Sequence, residues 1–288
     1  MEQQSDSEAR GLAMKVAGQL ANSPTAQLDA RWLIGLAIGR NAPVFSHEQI
    51  ALDTGQQDRL SALITERQAG KPISRMRGLR SFYQHDFYLN SATLDPRSDS
   101  EIMVETAIIW AEKRSNRQLR MADLGTGTGC LLLSVLDRAG HATGIGVDCQ
   151  PLAIAQARAN AACLSLAKRA EFVVSDWCAE LDGKFDLILA NPPYISTGDS
   201  TLSDDVRCYD PEAALFAGEK GLDAYHRLLP QLPALLAQDS LVLVEIGAGQ
   251  QADVTNIAMD AGLSLKARYS DLGGHIRVLA FVMAEPIS

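Results

Sequence analysis

Long apolar runs are missing from these 288 residues. Runs such as Leu131 to Leu136 and Leu241 to Val244 stop far short of the ~20 residues that cross a bilayer, which excludes an integral helical membrane protein. Basic residues are also in short supply. Lys and Arg number 26 against 35 Asp and Glu, and the net charge of −9 weighs against a grip on bare DNA or RNA, for which basic residues gather on one face. One cluster departs from that balance: Arg67, Lys71, Arg75, Arg77 and Arg80 form either a local basic patch or a solvated basic linker. Met1 to Arg10 holds acids and glutamines where a leader would carry a basic and then an apolar stretch, so no signal peptide is expected and the cytoplasm is the default compartment. The five cysteines, Cys130, Cys149, Cys163, Cys178 and Cys208, contain no C-x-x-C pair and have no histidine at metal spacing. They read as reduced, mostly buried thiols acting as small apolar fillers, and no metal site is expected.

What is present divides into three segments. In residues 1–70 apolar positions recur at helical spacing (Leu12, Val16, Leu20; Leu28, Trp32, Leu36; Leu60, Leu63, Ile64), with Ser23-Pro24 as a helix start and Gly39 and Gly70 as stops. This predicts a small helical domain with no catalytic constellation, suited to interaction. Residues 71–100 read as a linker running into a short hairpin, its aromatics Phe82, Tyr83, Phe87 and Tyr88 serving either as packing or as a pocket wall. From 101 to 288 strand and helix patterns alternate, with strands predicted at 119–123, 143–147, 171–175, 185–190 and 240–246. The last two, 263–269 and 276–282, are separated by too little chain for a helix and should pair antiparallel. Five parallel strands with an antiparallel hairpin make an α/β, Rossmann-like sheet of the kind common among methyltransferases.

The first of these strands ends in Asp123 and runs into Gly125-Thr126-Gly127-Thr128-Gly129, after which a helix begins. Glycines there let backbone approach a ligand closely. The G-x-G-x-G spacing differs from the dinucleotide fingerprint G-x-G-x-x-G, and the preceding acid suits a ligand bearing a positive ammonium group better than a pyrophosphate. Asp148, at the end of the second strand, is placed to accept both hydroxyls of a ribose. After the third come Asp176 and Trp177, either an acceptor for an adenine amino group and a cover for its face, or a surface cap followed by a core indole. The sharpest signal is Asn191-Pro192-Pro193-Tyr194 at the end of the fourth strand. Two prolines cannot continue a ladder and hold the backbone rigid, so the Asn191 side chain and the Pro192 carbonyl become fixed acceptors for the two donors of a planar –NH2 group, with Tyr194 as a face to stack on.

These motifs give the chain a specific resemblance. It resembles the HemK/PrmC-type protein-glutamine methyltransferases, which modify the glutamine of the Gly-Gly-Gln loop in peptide chain release factors. The likeness runs through Asp95-Pro96-Arg97 to Glu101, Asp123 to Cys130, Asn191 to Ile195, Tyr209-Asp210-Pro211 to Leu215, Gly221 to Tyr225, and Glu245-Ile246-Gly247 with Gln250. It departs where the family's proline, acid, threonine, acid run appears as Ser98-Asp99-Ser100-Glu101, and where a Gly-Gly appears as Ala217-Gly218. The resemblance implies an S-adenosylmethionine-dependent enzyme that releases S-adenosylhomocysteine; with the acidic charge and the short apolar runs, no direct nucleic-acid or membrane contact is expected, and the expected form is a cytoplasmic monomer. It further implies that Gly125 to Gly129 hold the methionine part of the cofactor, Asp148 the ribose and Trp177 the adenine, with Asp123, Asp176 and Asn191 beside them. Asn191, Pro192, Pro193 and Tyr194 would receive the glutamine, with Asn191, Pro192 and Tyr194 carrying the catalysis, and the N-terminal domain would dock the release factor. The alternative within the same chemistry is an amino-group methyltransferase for adenine or guanine in nucleic acid. An NAD-dependent oxidoreductase is disfavoured by the glycine spacing, and a silent binding module by the intact Asn191.

Overall fold

The computed structural model describes residues 9–20, 22–271 and 273–285. Residues 1–8 and 286–288, on which the reading of the N-terminus and the outer domain limits partly rest, lie outside the described residues. The chain forms two compact units: one runs to Leu79 and takes in Ser203–Tyr209, the other holds Arg80–Leu202 and the chain from Asp210 on.

The first unit contains α1 (Ala9–Gln19), α2 (Ala26–Ala37), α3 (Thr54–Gln68) and α4 (Ile73–Arg77). α3 starts at a reciprocal cap, in which the Asp53 side chain accepts from the Gln56 backbone and the Gln56 side chain from that of Asp53. The apolar stripe of α2 differs from the expected one. Ala30, Leu33, Ile34 and Ala37 are buried while Leu28 is 48% exposed, because this run is apolar on more than one face and its periodicity fits two stripes. Small residues decide between them: a Cβ on Gly35 would stand 1.9 Å from the Ala42 carbonyl oxygen. Trp32 instead lies under the Arg77 guanidinium, 4.0 Å from its ring centre. Ser23 does not cap α2. Its hydroxyl and that of Thr25 donate to the buried Asp29 carboxylate, at 2.7 and 3.0 Å, which also accepts from Arg67 Nε at 2.8 Å. Three charges of the basic cluster are paired with acids within the protein, Arg67 with Asp29, Lys71 with Glu66 and Arg80 with Asp95, while Arg77 donates to the neutral Asn41.

The second unit opens, at Arg80, within a two-stranded hairpin of β1 (Leu79–Phe82) and β2 (His85–Tyr88). It continues through α5 (Glu101–Glu112), β3 (Leu119–Leu124), α6 (Cys130–Arg138), β4 (Ala142–Asp148), α7 (Pro151–Cys163), β5 (Ala170–Val174) and β6 (Phe185–Ala190). After α8 (Asp204–Tyr209), which belongs to the helical unit, come α9 (Asp223–Leu228), β7 (Leu236–Glu245), α10 (Gln251–Asp260), β8 (Leu263–Ser270) and β9 (Ile276–Met283). The sheet order is β5-β4-β3-β6-β7-β9-β8, with β3 to β7 parallel and β9 antiparallel to both β7 and β8. This is the five-plus-hairpin sheet of a Rossmann-like methyltransferase.

Alternation along the strands separates two apolar layers. Met121, Leu187, Leu189, Leu241 and Leu243 pack with α5, α6 and α7, whereas Ala122, Leu124, Ile188, Val242 and Val244 pack with α9 and α10. Phe82 and Phe87 join the first layer, so the hairpin is anchored by core aromatics. The cysteines depart from expectation: Cys178 is buried and Cys130 half-buried, but Cys149, Cys163 and Cys208 are exposed, Cys149 and Cys163 standing just past β4 and at the end of α7.

Replacing Asp29 removes one partner of a mostly buried ion pair and leaves the Arg67 charge uncompensated. Asp29→Ala should destabilise the helical unit by about 3–5 kcal/mol. Hydrogen exchange of the α2 amides in rising urea measures this, and protection equal to the parent's would contradict it.

Candidate active site

The strand order reverses between β3 and β6, and in an open parallel sheet such a switch point leaves a crevice beyond the strand ends. Register sets the level of what leaves there: Leu124 is opposite both Val147 of β4 and Ala190 of β6. Gly125 and Asn191 therefore depart from neighbouring strands at the same height, and a Cβ on Gly125 would lie 3.9 Å from the Asn191 carbonyl oxygen. A cavity of about 700 Å³ opens over these ends, lined among others by Gly125 to Thr128, Asp148, Trp177 and Asn191.

The glycine loop is held by β4. The backbone N–H groups of Gly125 and Thr126 donate to the Val147 carbonyl at 2.9 and 2.8 Å, and Gly127 N–H donates to Asp148 Oδ2 at 3.0 Å. Gly125, Gly127 and Gly129 all have positive φ (76°, 55° and 80°), which explains the glycine at each. At Gly129 a Cβ would press on Leu133, Phe172 and Ala157, whereas at Gly127 it would meet no protein atom within 4 Å. Asp148 Oδ1 accepts from Gln150 N–H at 2.9 Å, yet partial burial still raises its carboxyl above the ordinary range. Trp177 takes left-handed backbone (φ 51°), its carbonyl receiving the Ser175 hydroxyl at 2.9 Å, and its ring edge comes within 3.6 Å of the position of a Cβ on Gly125. Asp176 stands at the exposed rim with both oxygens on Arg227 Nη2, at 2.6 and 2.8 Å.

On the β6 side the Asn191 Nδ2 donates to Ser100 Oγ at 3.2 Å. Past the prolines, Ile195 exchanges backbone hydrogen bonds with Leu215 and Ala217, at 2.9 Å each, which fixes the loop against the 215–217 wall. Arg97 and Asp210, an ion pair, brace the segments Asp95-Pro96-Arg97 and Pro211 onward that close the cavity on its outer side.

Four residues singled out by sequence do not line the cavity. Asp123 is fully buried behind Thr126, whose hydroxyl donates to it at 2.6 Å, and desolvation raises its carboxyl to about 7. Gly129 is committed to close packing at the start of α6, and Pro192 is buried. Tyr194 turns its ring toward Gly247 and donates its hydroxyl to Glu245 Oε1 at 3.2 Å, while Gln250 Nε2 donates to the Tyr194 carbonyl at 3.0 Å. Three residues that the motif reasoning gave no task are thus built into the site: Ser100, Glu245 and Gln250. Glu245 carried a signal, a lone acid closing the apolar run Leu241 to Val244. Ser100 carried none, since a serine before a helix ordinarily caps it, and here its side chain makes no cap.

The chain matches two family models, one described as PrmC N-terminal domain over residues 13–78 and one as Methyltransferase small domain over 98–205. It is 41% identical over 268 residues to a release factor glutamine methyltransferase of Rhodospirillum rubrum, covering 92% of this chain and 80% of that protein. Proteins of the same description from Bradyrhizobium diazoefficiens (37% over 279 residues, 96% of this chain and 93% of theirs) and Agrobacterium fabrum (37% over 258, 88% and 89%) are similar along most of their length.

The raised pKa of Asp123 has a consequence for stability. The folded protein holds this proton up to about 7 whereas the unfolded chain releases it near the ordinary carboxyl value of 3.8, so the stabilisation is whole below about 4 and drains away as pH climbs to about 7. Asp123→Asn keeps an acceptor for Thr126 and removes the titration. The variant should show a weaker fall in melting temperature between those pH values than the parent, and an unchanged slope would contradict the assignment.

Proposed function

Because the chain belongs to the release factor glutamine methyltransferase family, we infer that it transfers a methyl group from S-adenosylmethionine to the side-chain amide nitrogen of the glutamine in the Gly-Gly-Gln motif of peptide chain release factors. One observation carries the reading on to particular residues: Asn191 lines the cavity beside the glycine loop with its Nδ2 engaged by Ser100, which leaves Oδ1 as the acceptor for a substrate N–H. A substrate of this kind places the enzyme in the cytoplasm, and the helical unit, which offers no site motif, is the part suited to docking the release factor, with the enzyme acting as a monomer.

The cavity suits the cofactor on its donor set. Asp148 uses one lone pair of each oxygen on backbone N–H groups and keeps others for two ribose hydroxyls. Gly127 leaves free space where any side chain would intrude, Trp177 offers an indole face for adenine, and Asp176 stands at the rim near it. Gly125 to Thr128 would take the methionine part, with Asp123 lending negative character through Thr126. When bound, S-adenosylmethionine supplies a methyl group on a positive sulfonium, already activated for transfer.

The protein's own task is orientation, because an amide nitrogen is a poor nucleophile with its lone pair delocalised into the carbonyl. Asn191 Oδ1 accepts a substrate N–H and turns the nitrogen toward the methyl group, while Pro192, buried behind the cavity wall, and Pro193 hold the loop rigid. Positioning of this kind is worth up to ~7–11 kcal/mol in ideal cases. Tyr194, pinned by Glu245 and Gln250, fixes the far end of the loop. The amide acceptor is not a base. Nor is the Cys130 thiol on the cavity wall, which burial pushes up to about 12 and keeps protonated. The proton therefore leaves after transfer, when the methylated nitrogen has become acidic.

Mass spectrometry of a release factor incubated with enzyme and S-adenosylmethionine tests the reading: one methyl group on the Gly-Gly-Gln glutamine is expected, and an unmodified glutamine would refute it. Asn191→Ala should cost ~100-fold in turnover through lost positioning with cofactor affinity nearly unchanged, and Asn191→Asp should retain more activity than the alanine variant while staying below the parent. Parental turnover in Asn191→Ala would reduce Asn191 to a turn residue. Asp148→Ala should weaken cofactor binding by ~1.5–3 kcal/mol by calorimetry, since the ribose loses a charged acceptor.

A further inference from the structure

The bonds that β4 gives the glycine loop fall on its first half. Gly125 and Thr126 N–H donate to the Val147 carbonyl, and Gly127 N–H donates to Asp148. The second half is held by α7, through a side chain that does not line the cavity: Asn160 is 1% exposed, and its Nδ2 donates to the Thr128 carbonyl at 2.9 Å. Ala157, one turn earlier on the same helix, backs this half as well, since a Cβ on Gly129 would stand 3.3 Å from its own.

The Asn160 amide is paired with a second segment too. Its Oδ1 accepts from Tyr88 N–H at 3.0 Å and its Nδ2 donates to the Tyr88 carbonyl at 3.1 Å, so it meets both backbone groups of the last residue of β2 as a neighbouring strand would. Both Nδ2 protons are thereby in use, one on Tyr88 and one on Thr128. Rotated by half a turn about χ2, the amide would set its oxygen against two carbonyls and its –NH2 against an N–H, so its direction is fixed. From Tyr88 the chain reaches Ser91 in three residues and there enters the cavity wall, which continues through Ala92, Leu94, Pro96 and Arg97. Thr128 lies on the wall formed by the glycine loop. A single buried amide therefore joins two walls of the cavity.

We propose that Asn160 is a positioning residue for the cofactor, which fixes the gap between the glycine loop and the 91–97 wall by joining Thr128 to Tyr88 and so sets the affinity for S-adenosylmethionine from outside the cavity. The inference rests on the reading of Gly125 to Thr128 as the cofactor's loop. That loop has positive φ at 125, 127 and 129, and glycine is conformationally permissive, so its shape has to be imposed by what it is bonded to. Asn160 and the 91–97 wall are not equally dependent on each other. Asn90 Nδ2 also donates to the Leu152 carbonyl at 2.8 Å, at the start of α7, so the wall keeps a tie to that helix when Asn160 is lost, whereas the Thr128 carbonyl, on a residue 2% exposed, is left without its donor.

The test uses the full chain and S-adenosylhomocysteine, whose binding needs no methyl acceptor, with calorimetry well below the melting temperature. Asn160→Ala is expected to weaken binding by about tenfold, the scale of one lost hydrogen bond. Asn160→Asp keeps the shape and the bond from Tyr88 N–H but sets a second oxygen against the Thr128 and Tyr88 carbonyls, so it is expected to bind no better than the alanine variant. A side chain that only fills space gives the opposite order, with aspartate close to the parent. That order would overturn the proposal, and so would parental affinity in Asn160→Ala or a loss of turnover with affinity unchanged. Should neither variant fold, the parent decides by NMR: saturating S-adenosylhomocysteine should slow exchange of the Tyr88 N–H and shift the Asn160 side-chain amide, both outside the cavity lining, and unchanged signals would overturn the proposal. If the variants show the expected affinities and the parent leaves a release factor unmethylated, the acceptor assigned above is wrong and the positioning stands. If the parent methylates the release factor and all three proteins bind alike, the function stands and the positioning is wrong.

Discussion

On the last rung of the β3 and β6 ladder Leu124 faces Ala190, and the chemistry of this protein depends on that register. One strand delivers a loop whose glycines can bring backbone close to a cofactor, and the other delivers an amide that can hold a substrate. A slip of one residue would displace Asn191 by about 3.3 Å along the strand. That is as large as the ~3–3.5 Å separation at which reacting atoms must be held. The alternating apolar layers on the two sheet faces protect the register, since the same slip would turn every side chain of β6 to the wrong face.

Within this apolar frame the sheet buries two carboxyl groups, Asp123 at the end of β3 and Glu245 at the end of β7, both raised to about 7 by desolvation. Well-packed apolar residues would cost less there. Each acid instead has a hydroxyl that donates to it: Thr126 in the glycine loop for Asp123, and Tyr194 in the Pro-Pro loop for Glu245. Neither acid lines the cavity, so both influence it through the hydroxyls they orient.

The strands were legible in the sequence because each is a short apolar run between turn signals, and their predicted limits lie within a few residues of the observed ones except at β7, which starts at Leu236. Glycine and proline motifs were legible because glycine takes the positive φ of 125, 127 and 129 with no side chain to strain, and a double proline stops a ladder whatever surrounds it. The buried face of α2 was not, because Leu28, Trp32 and Leu36 satisfy helical spacing as well as Leu33, Ile34 and Ala37 do, and a backbone approach at Gly35 decides the matter. The site shows the same division. Asp148 and Asn191 could be placed from their strand ends alone. The contact of Asn191 with Ser100 spans 91 positions, that of Tyr194 with Glu245 spans 51, and that of Arg227 with Asp176 also 51, so local pattern carries no trace of them. Tyr194 was assigned a face toward the substrate for this reason: its partner, Glu245, is invisible until β7 is laid beside β6.

The distance between charge and chemistry then has a physical sense. A carboxylate at position 191 would accept the substrate N–H as well as an amide does, but it would also attract a sulfonium in the ground state, and binding that is equal before and during reaction does not accelerate it. A neutral acceptor behaves differently. As an attacking amide nitrogen gives up electron density its N–H bonds become more acidic, so in the proposed role of Asn191 a hydrogen bond to its Oδ1 would strengthen during transfer. The cost of a neutral amide is that it does not know which way to face. The hydrogen bond from its Nδ2 to Ser100 Oγ at 3.2 Å supplies that direction without bringing any charge to the reacting atoms.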